Sequence, residues 1–232
     1  MIPIGDMNPT TRTPIVNRLL LFVNIAAWLY VVSLSRTPGA AEAFYDRYAF
    51  DWTQFTAAIT GGRIAIETFV PLFTHMFLHG GWLHIIGNML YLWVFGDNVE
   101  DRLGSGRYLV FYLLAGIAAA VGQGLVSPAP MVGASGAIAG VLGAYLVLFP
   151  TARVRTLIFL GIFITVIQLP ALVVIGLFIV LQLLDGVAAL RLDAHPAAAN
   201  VAYFAHIFGF IAGILLLFLF RRGQAPRRAR YG

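Results

Sequence analysis

The chain has 232 residues, of which 60% are hydrophobic and 11% charged, with a net charge of +5 and no cysteine. Soluble domains run near about 45–50% apolar and about 25% charged, so this composition excludes an ordinary soluble domain and implies an integral membrane protein. Without cysteine there is no disulfide framework and no thiol chemistry. All fifteen basic residues are arginines, five of them in the terminal "RRGQAPRRARYG". That tail reads as a cytoplasmic stop after a last helix, not as a nucleic-acid surface.

No Asp, Glu, Lys or Arg occurs in 68–96, 108–152, 156–184 or 194–220. Uncharged runs of about 18 residues or more are candidate transmembrane helices. The expected fold is all-α, one membrane domain over 1–232. A cytoplasmic tail, 1–17, precedes a first span at 18–34, which is too long for a signal-peptide core and has no cleavage site after it. Residues 35–80 form a large outer loop. With Trp52, Phe55, Phe69, Phe73, Met76 and Phe77 it is too apolar to be solvated and is expected to lie at the membrane interface. Further spans follow at 81–96, 104–126, 135–150, 171–190 and 201–221, then a basic cytoplasmic tail, 222–232. Segment 153–170, "RVRTLIFLGIFITVIQLP", is read as an interfacial piece broken at Pro170, with a seventh span as the alternative.

With six spans and a cytoplasmic N-terminus, eleven arginines fall inside (Arg12, Arg18, Arg102, Arg107, Arg153, Arg155 and the tail) and four outside (Arg36, Arg47, Arg63, Arg191). The positive-inside rule therefore puts both termini in the cytoplasm. A seventh span would place the basic tail outside. A transporter is the other six-helix reading, but no internal repeat is visible.

Polar residues within a bundle are costly and mark function. His84 and Asn88, spaced i,i+4, share a helix face; His75 and His79 repeat that spacing upstream. Ser135 opens the fourth span in "GASGAIAG", and His206 lies about 8 Å into the sixth at 1.5 Å per residue. The topology brings all four of His84, Asn88, Ser135 and His206 to the outer level. From Ser135 to Phe149 is about 21 Å of helix, short of the roughly 30 Å hydrocarbon core. The loop "SPAPMVGA" must therefore dip into the protein and line a polar pocket. Gly136, Gly140 and Gly143 on one helix, and Gly209 and Gly213 on the other, allow close backbone approach in lipid.

A serine within reach of a neutral histidine is an activated nucleophile. The Ser135 amide at a helix N-terminus, with His84 and Asn88, can bind an oxyanion. Asp185 is the only carboxylate near the outer half, and it falls late in its helix, so a two-residue dyad is the simpler arrangement. A metal site built from His75, His79, His84 and His206 is the competing reading; against it stand the missing H-E-x-x-H and the lack of a well-placed intramembrane carboxylate.

These residues resemble the rhomboid family of intramembrane serine proteases. H-x-x-x-N is His84 and Asn88, G-x-S-G is Gly133, Ser135 and Gly136, and A-H-x-x-G is Ala205, His206 and Gly209. E-x-x-x-G-S is Glu100, Gly104 and Ser105, and F-L-H is Phe77, Leu78 and His79. The resemblance covers roughly 68–215. It implies cleavage of single-pass membrane substrates near the outer face. Ser135 would be nucleophile and His206 base, with His84, Asn88 and the Ser135 amide as oxyanion donors. His79, Glu100, Gly104, Ser105, Gly133, Gly136 and Gly209 would be structural supports. It implies no metal and no cofactor, with membrane lipid and protein substrates as the partners, in a prokaryotic inner or plasma membrane. An inactive relative kept as a binding scaffold typically lacks the Ser or the His, and both are here. Ala139 stands where some members carry an aromatic ring that stacks on the histidine; Phe204 and Tyr145 are the candidates to replace it. A tryptophan–arginine pair seen in the first loop of some members is not evident, and Glu67 stands where a basic residue often occurs.

Overall fold

The computed structural model describes residues 1–161, 163–191 and 201–220. A strand, β1 (Ile2–Asp6), precedes the long helix α1 (Ile15–Leu34). The first loop then folds into short helices α2 (Ala40–Tyr48), α3 (Trp52–Thr60), α4 (Ile66–Phe69) and α5 (Pro71–Thr74), ending in a 3-10 turn at His75–Phe77. Helices α6 (Trp82–Leu103), α7 (Ser105–Val126) and α8 (Ser135–Leu148) follow. After them come strands β2 (Arg153–Leu160) and β3 (Phe163–Pro170) and helices α9 (Ala171–Arg191) and α10 (Tyr203–Phe220). The expected loop between α9 and α10 and the basic tail lie outside the described residues.

Among the described residues four helices, α1, α7, α9 and α10, are long and apolar enough to cross a membrane. Helix α8 is apolar but has only 14 residues, and α6 carries His84, Asn88, Asp97 and Asn98 among its apolar residues. Helix α8 is the axis of the bundle. Every residue from Gly136 to Tyr145 is buried, and α6, α7, α9 and α10 all pack against it. The main core gathers Leu92, Phe95, Tyr108, Tyr112, Leu142 and Leu217 around that axis.

The all-α expectation is corrected at the end of the bundle opposite Ser135. Segment 153–170 is not helical and so is no seventh helix. It is an antiparallel hairpin, with Val154 opposite Leu169 and Leu160 opposite Phe163. Its residues are rich in β-branched and aromatic types, which fit a pleated surface better than a helix, and Gly161, at φ 63°, stands in the turn. The expected tail supplies a third strand, with β1 antiparallel to β2.

Strand β1 is fastened by a polar cluster. The Asp6 carboxylate accepts from the Tyr145 hydroxyl at 2.6 Å and from the Asn98 amide at 3.0 Å. Asn8 in turn donates to Asn98 at 2.7 Å. Burial pushes the Asp6 carboxyl up to about 6; the Tyr145 hydrogen bond opposes the rise and the Asp97 charge adds to it. The sign follows from the raised value. The docked strand holds a proton that the free strand releases near its ordinary carboxyl range, so docking is strongest in acid and weakens as pH rises through about 6. Amide protection of residues 2–6, corrected for intrinsic exchange, is expected to fall about tenfold between pH 4 and pH 7, discounted for the carboxyl's partial exposure. Asp6→Asn should flatten that dependence, and an unchanged dependence in the variant would locate it elsewhere.

Candidate active site

The site begins with the contact between α8 and α10. A methyl group at Gly209 would overlap the carbonyl oxygen of Gly136, and one at Gly213 the carbonyl oxygen of Gly140. A methyl at Gly140 would meet Ala115 of α7 at 2.6 Å. Backbone therefore touches backbone along this seam, which only residues without a side chain permit.

That approach brings the first residue of α8 to the first turns of α10. His206 Nε2 lies 2.8 Å from Ser135 Oγ. Ser135 is half-buried and His206 is 9% exposed. The other ring nitrogen, Nδ1, lies 2.6 Å from Oε1 of Gln182 on α9. The ring of Phe178, four residues before Gln182, sits 5.9 Å from the imidazole, tilted by 42°. This corrects the expectation that Phe204 or Tyr145 replaces the aromatic missing at Ala139. Tyr145 is ten residues along α8, about 15 Å from Ser135 at 1.5 Å per residue, and bonds Asp6 instead. Phe204 lies beside Gly186. The sequence reading missed Gln182 because it looked for an acid or a ring. The available signal was an amide in an otherwise apolar helix, on the face of Phe178.

On the other side stand His84 and Asn88 of α6. The Gly80 amide donates to His84 Nδ1 at 3.3 Å, which leaves the ring proton on Nε2. A methyl at Gly133 would meet His84 Nε2 at 2.7 Å and Ser135 Oγ at 3.5 Å, so both polar atoms flank that α-carbon. Gly133 also has φ 131°, a conformation that side chains resist. The amide nitrogen of Asn88 is buried and, among the described residues, has no hydrogen-bond partner. Ser135 opens its helix, where backbone N–H groups lack intrahelical acceptors. Trp82, His84, Asn88, Ser135, Phe178 and His206 line one cavity of about 1200 Å³.

The first loop holds the serine's approach. Phe50 and Met131 exchange backbone hydrogen bonds at 3.1 and 2.9 Å, and the Gly133 amide donates to the His75 carbonyl at 2.9 Å. Met131, Gly133 and Ala134 are buried while Pro128, Ala129 and Pro130 are exposed, so only the second half of the loop dips into the protein. His75 and His79 are buried as well. The recorded loop bonds run through their backbone carbonyls: besides the Gly133 bond to His75 O, Tyr45 donates to His79 O, while the His79 ring sits edge-on to His84 at 5.1 Å. Burial lowers His75 to about 4 and His79 to about 3, so both are neutral near pH 7. Gln123, a further residue the sequence did not single out, accepts from the Ala205 amide at 3.1 Å beside His206.

Glu100, Gly104 and Ser105 lie away from the cavity. Gly104 alone separates α6 from α7. The Ser105 hydroxyl donates to Glu100 at 2.6 Å, and Glu100 accepts the Val16 and Asn17 amides at 3.0 and 2.7 Å. The carboxylate therefore caps the N-terminus of α1, where negative charge is favoured. Among the described residues, no three His, Asp or Glu side chains converge as a metal-ligand set.

A helical bundle with four membrane-length helices among the described residues, and a serine–histidine contact at one cavity, defines a multi-pass membrane protein. Comparison with known proteins makes the class specific. The rhomboid domain model matches residues 67–223, more than half of the chain. The rhomboid protease GluP of Bacillus subtilis (strain 168) is 41% identical over 108 residues, which cover 40% of this chain and 21% of GluP. The putative rhomboid protease YdcA of the same strain is 29% identical over 182 residues, 76% of this chain and 80% of YdcA. The rhomboid protease GlpG of Yersinia pestis (strain Pestoides F) is 30% identical over 154 residues, 66% of this chain and 48% of GlpG. The matched region spans about a fifth of GluP and about half of GlpG, but four fifths of YdcA. The chain belongs to the rhomboid family.

Proposed function

We propose that the protein is an intramembrane serine endopeptidase that cleaves single-pass membrane proteins near the outer face of a prokaryotic inner membrane. The 2.8 Å contact between Ser135 Oγ and His206 Nε2 carries this reading. In it, α6 and α8 join the four long helices as membrane spans, both termini are cytoplasmic, and the first loop lies at the outer interface. The short α8 leaves Ser135 below the outer surface, with the cavity above it.

The chemistry runs as acyl transfer. Ser135 Oγ attacks the scissile carbonyl carbon while His206 Nε2 takes the hydroxyl proton. The oxyanion accepts from the Ser135 amide, His84 Nε2–H and the Asn88 amide, whose nitrogen has no other partner among the described residues. Collapse breaks the C–N bond, and His206 passes the proton to the leaving amine. His206 then takes a proton from water, the hydroxide attacks the Ser135 ester, and the product acid leaves as the serine recovers its proton. No step uses a metal or a cofactor.

Labelling tests this directly. A fluorophosphonate should modify Ser135 in the parent protein, His206→Ala should abolish that labelling, and a chelator should leave it unchanged. Absent labelling of a folded parent, or chelator-sensitive cleavage, would sink the serine mechanism and favour the metal alternative.

A further inference from the structure

We infer that Gln182 of α9 is the positioning residue for the base, so that His206 is correctly set only while α9 lies against α10. The inference rests on the serine-protease reading above. An amide oxygen can only accept a hydrogen bond. With Gln182 Oε1 2.6 Å from Nδ1, that nitrogen carries the ring proton and Nε2 presents a lone pair to Ser135. This is the tautomer a general base requires. A ring held by Ser135 alone is free to take the other tautomer, with Nε2 protonated and unable to accept the serine proton. Among the described residues no carboxylate performs this task. Asp185, the acid nearest in sequence on α9, is exposed.

The same bond gives α9 a second role. Ser135 and His206 stand on α8 and α10, whose backbones are in direct contact, whereas α9 is the least buried of the four membrane-length helices. Its contacts near the site are side chains. Phe178 bridges Tyr91 of α6, at 5.8 Å, and His206. Outward movement of α9 therefore removes the acceptor from Nδ1 while leaving Ser135 and His206 on their locked helices. Chemistry and the docking of α9 are coupled through one hydrogen bond.

The test compares Gln182→Met, which keeps length but removes the acceptor, with Gln182→Glu, which restores an acceptor. The parent and Leu181→Ala, at an exposed position beside Gln182, serve as references. A small fluorophosphonate reads the base, and a single-pass reporter in liposomes reads kcat and KM. The Met variant is expected to label about 10- to 100-fold more slowly and to lose kcat with KM unchanged, a smaller loss than the roughly 10⁴-fold seen when a triad carboxylate is replaced. The Glu variant should recover to within about threefold of the parent, and Leu181→Ala should label at the parental rate. If the Met variant fails to fold, Gln182→Asn, which withdraws the amide by one methylene, should show the same slow labelling. Parental labelling in a folded Met or Asn variant, or equal slowing by Leu181→Ala, overturns the inference. A parent that does not label at all refutes the serine reading instead, so the two failures are distinct.

Discussion

Ser135→Ala is expected to abolish cleavage of a single-pass reporter, by about 10⁶-fold in kcat, the scale of removing a serine nucleophile from a hydrolase that depends on it. The serine is half-buried at the first position of α8. Its hydroxyl has one recorded partner, His206, so the alanine variant loses one oxygen and leaves the seam between α8 and α10 untouched. Thermal stability should stay close to the parent's, which separates lost chemistry from lost fold. His206→Ala should cost nearly as much. The double variant should be no worse than either single one, because the two groups act as a unit. Cleavage by a folded Ser135→Ala protein within tenfold of the parent would end the nucleophile assignment.

Gly209→Ala has the next largest expected effect, and it acts without touching a reacting atom. The added methyl would overlap the Gly136 carbonyl oxygen and press on Ala119 at 3.3 Å. Backbone cannot swing away as a side chain can, so α10 must move off α8 by on the order of 1 Å. Displacement on that scale costs about 10²-fold in rate when it separates aligned reactants. Overpacking should cost stability as well, about 1–3 kcal/mol. Gly106→Ala, where a methyl meets nothing within 4 Å, is the matched control and should leave activity unchanged. Cleavage rates and unfolding midpoints of the two variants decide the matter: parental activity in Gly209→Ala would mean that the seam tolerates separation.

Some of this was legible before any coordinates. Helices α1, α7, α9 and α10 announce themselves by long uncharged runs, because burying charge in lipid is costly enough to leave a local mark. Ser135 and His206 could be paired from sequence because glycine spacing at 136, 140, 209 and 213 encodes how closely two helices pack, and the meeting point then follows. His84 and Asn88 declared a shared face by their spacing. The hairpin at 153–170 was not legible. Its apolar run satisfies an interfacial piece, a span and a strand equally, and pairing with β1, some 150 residues earlier, is a long-range choice that no local pattern records. The partner of Glu100 was obscure for the same reason, since the amides of Val16 and Asn17 lie 84 and 83 residues away in the chain.

Composition, charge placement and small-residue spacing thus determined by themselves that the chain enters a membrane, which helices do so most plainly, and which two side chains meet. Each of those is a property of one segment or of one helix face. What only the tertiary structure decided was the sheet that closes the far end, the cap on α1, and the hold on His206. That hold comes from Gln182, an amide 24 residues away on another helix, and a hydrogen bond between two helices depends on their rotation and depth, which neither helix carries in its own sequence.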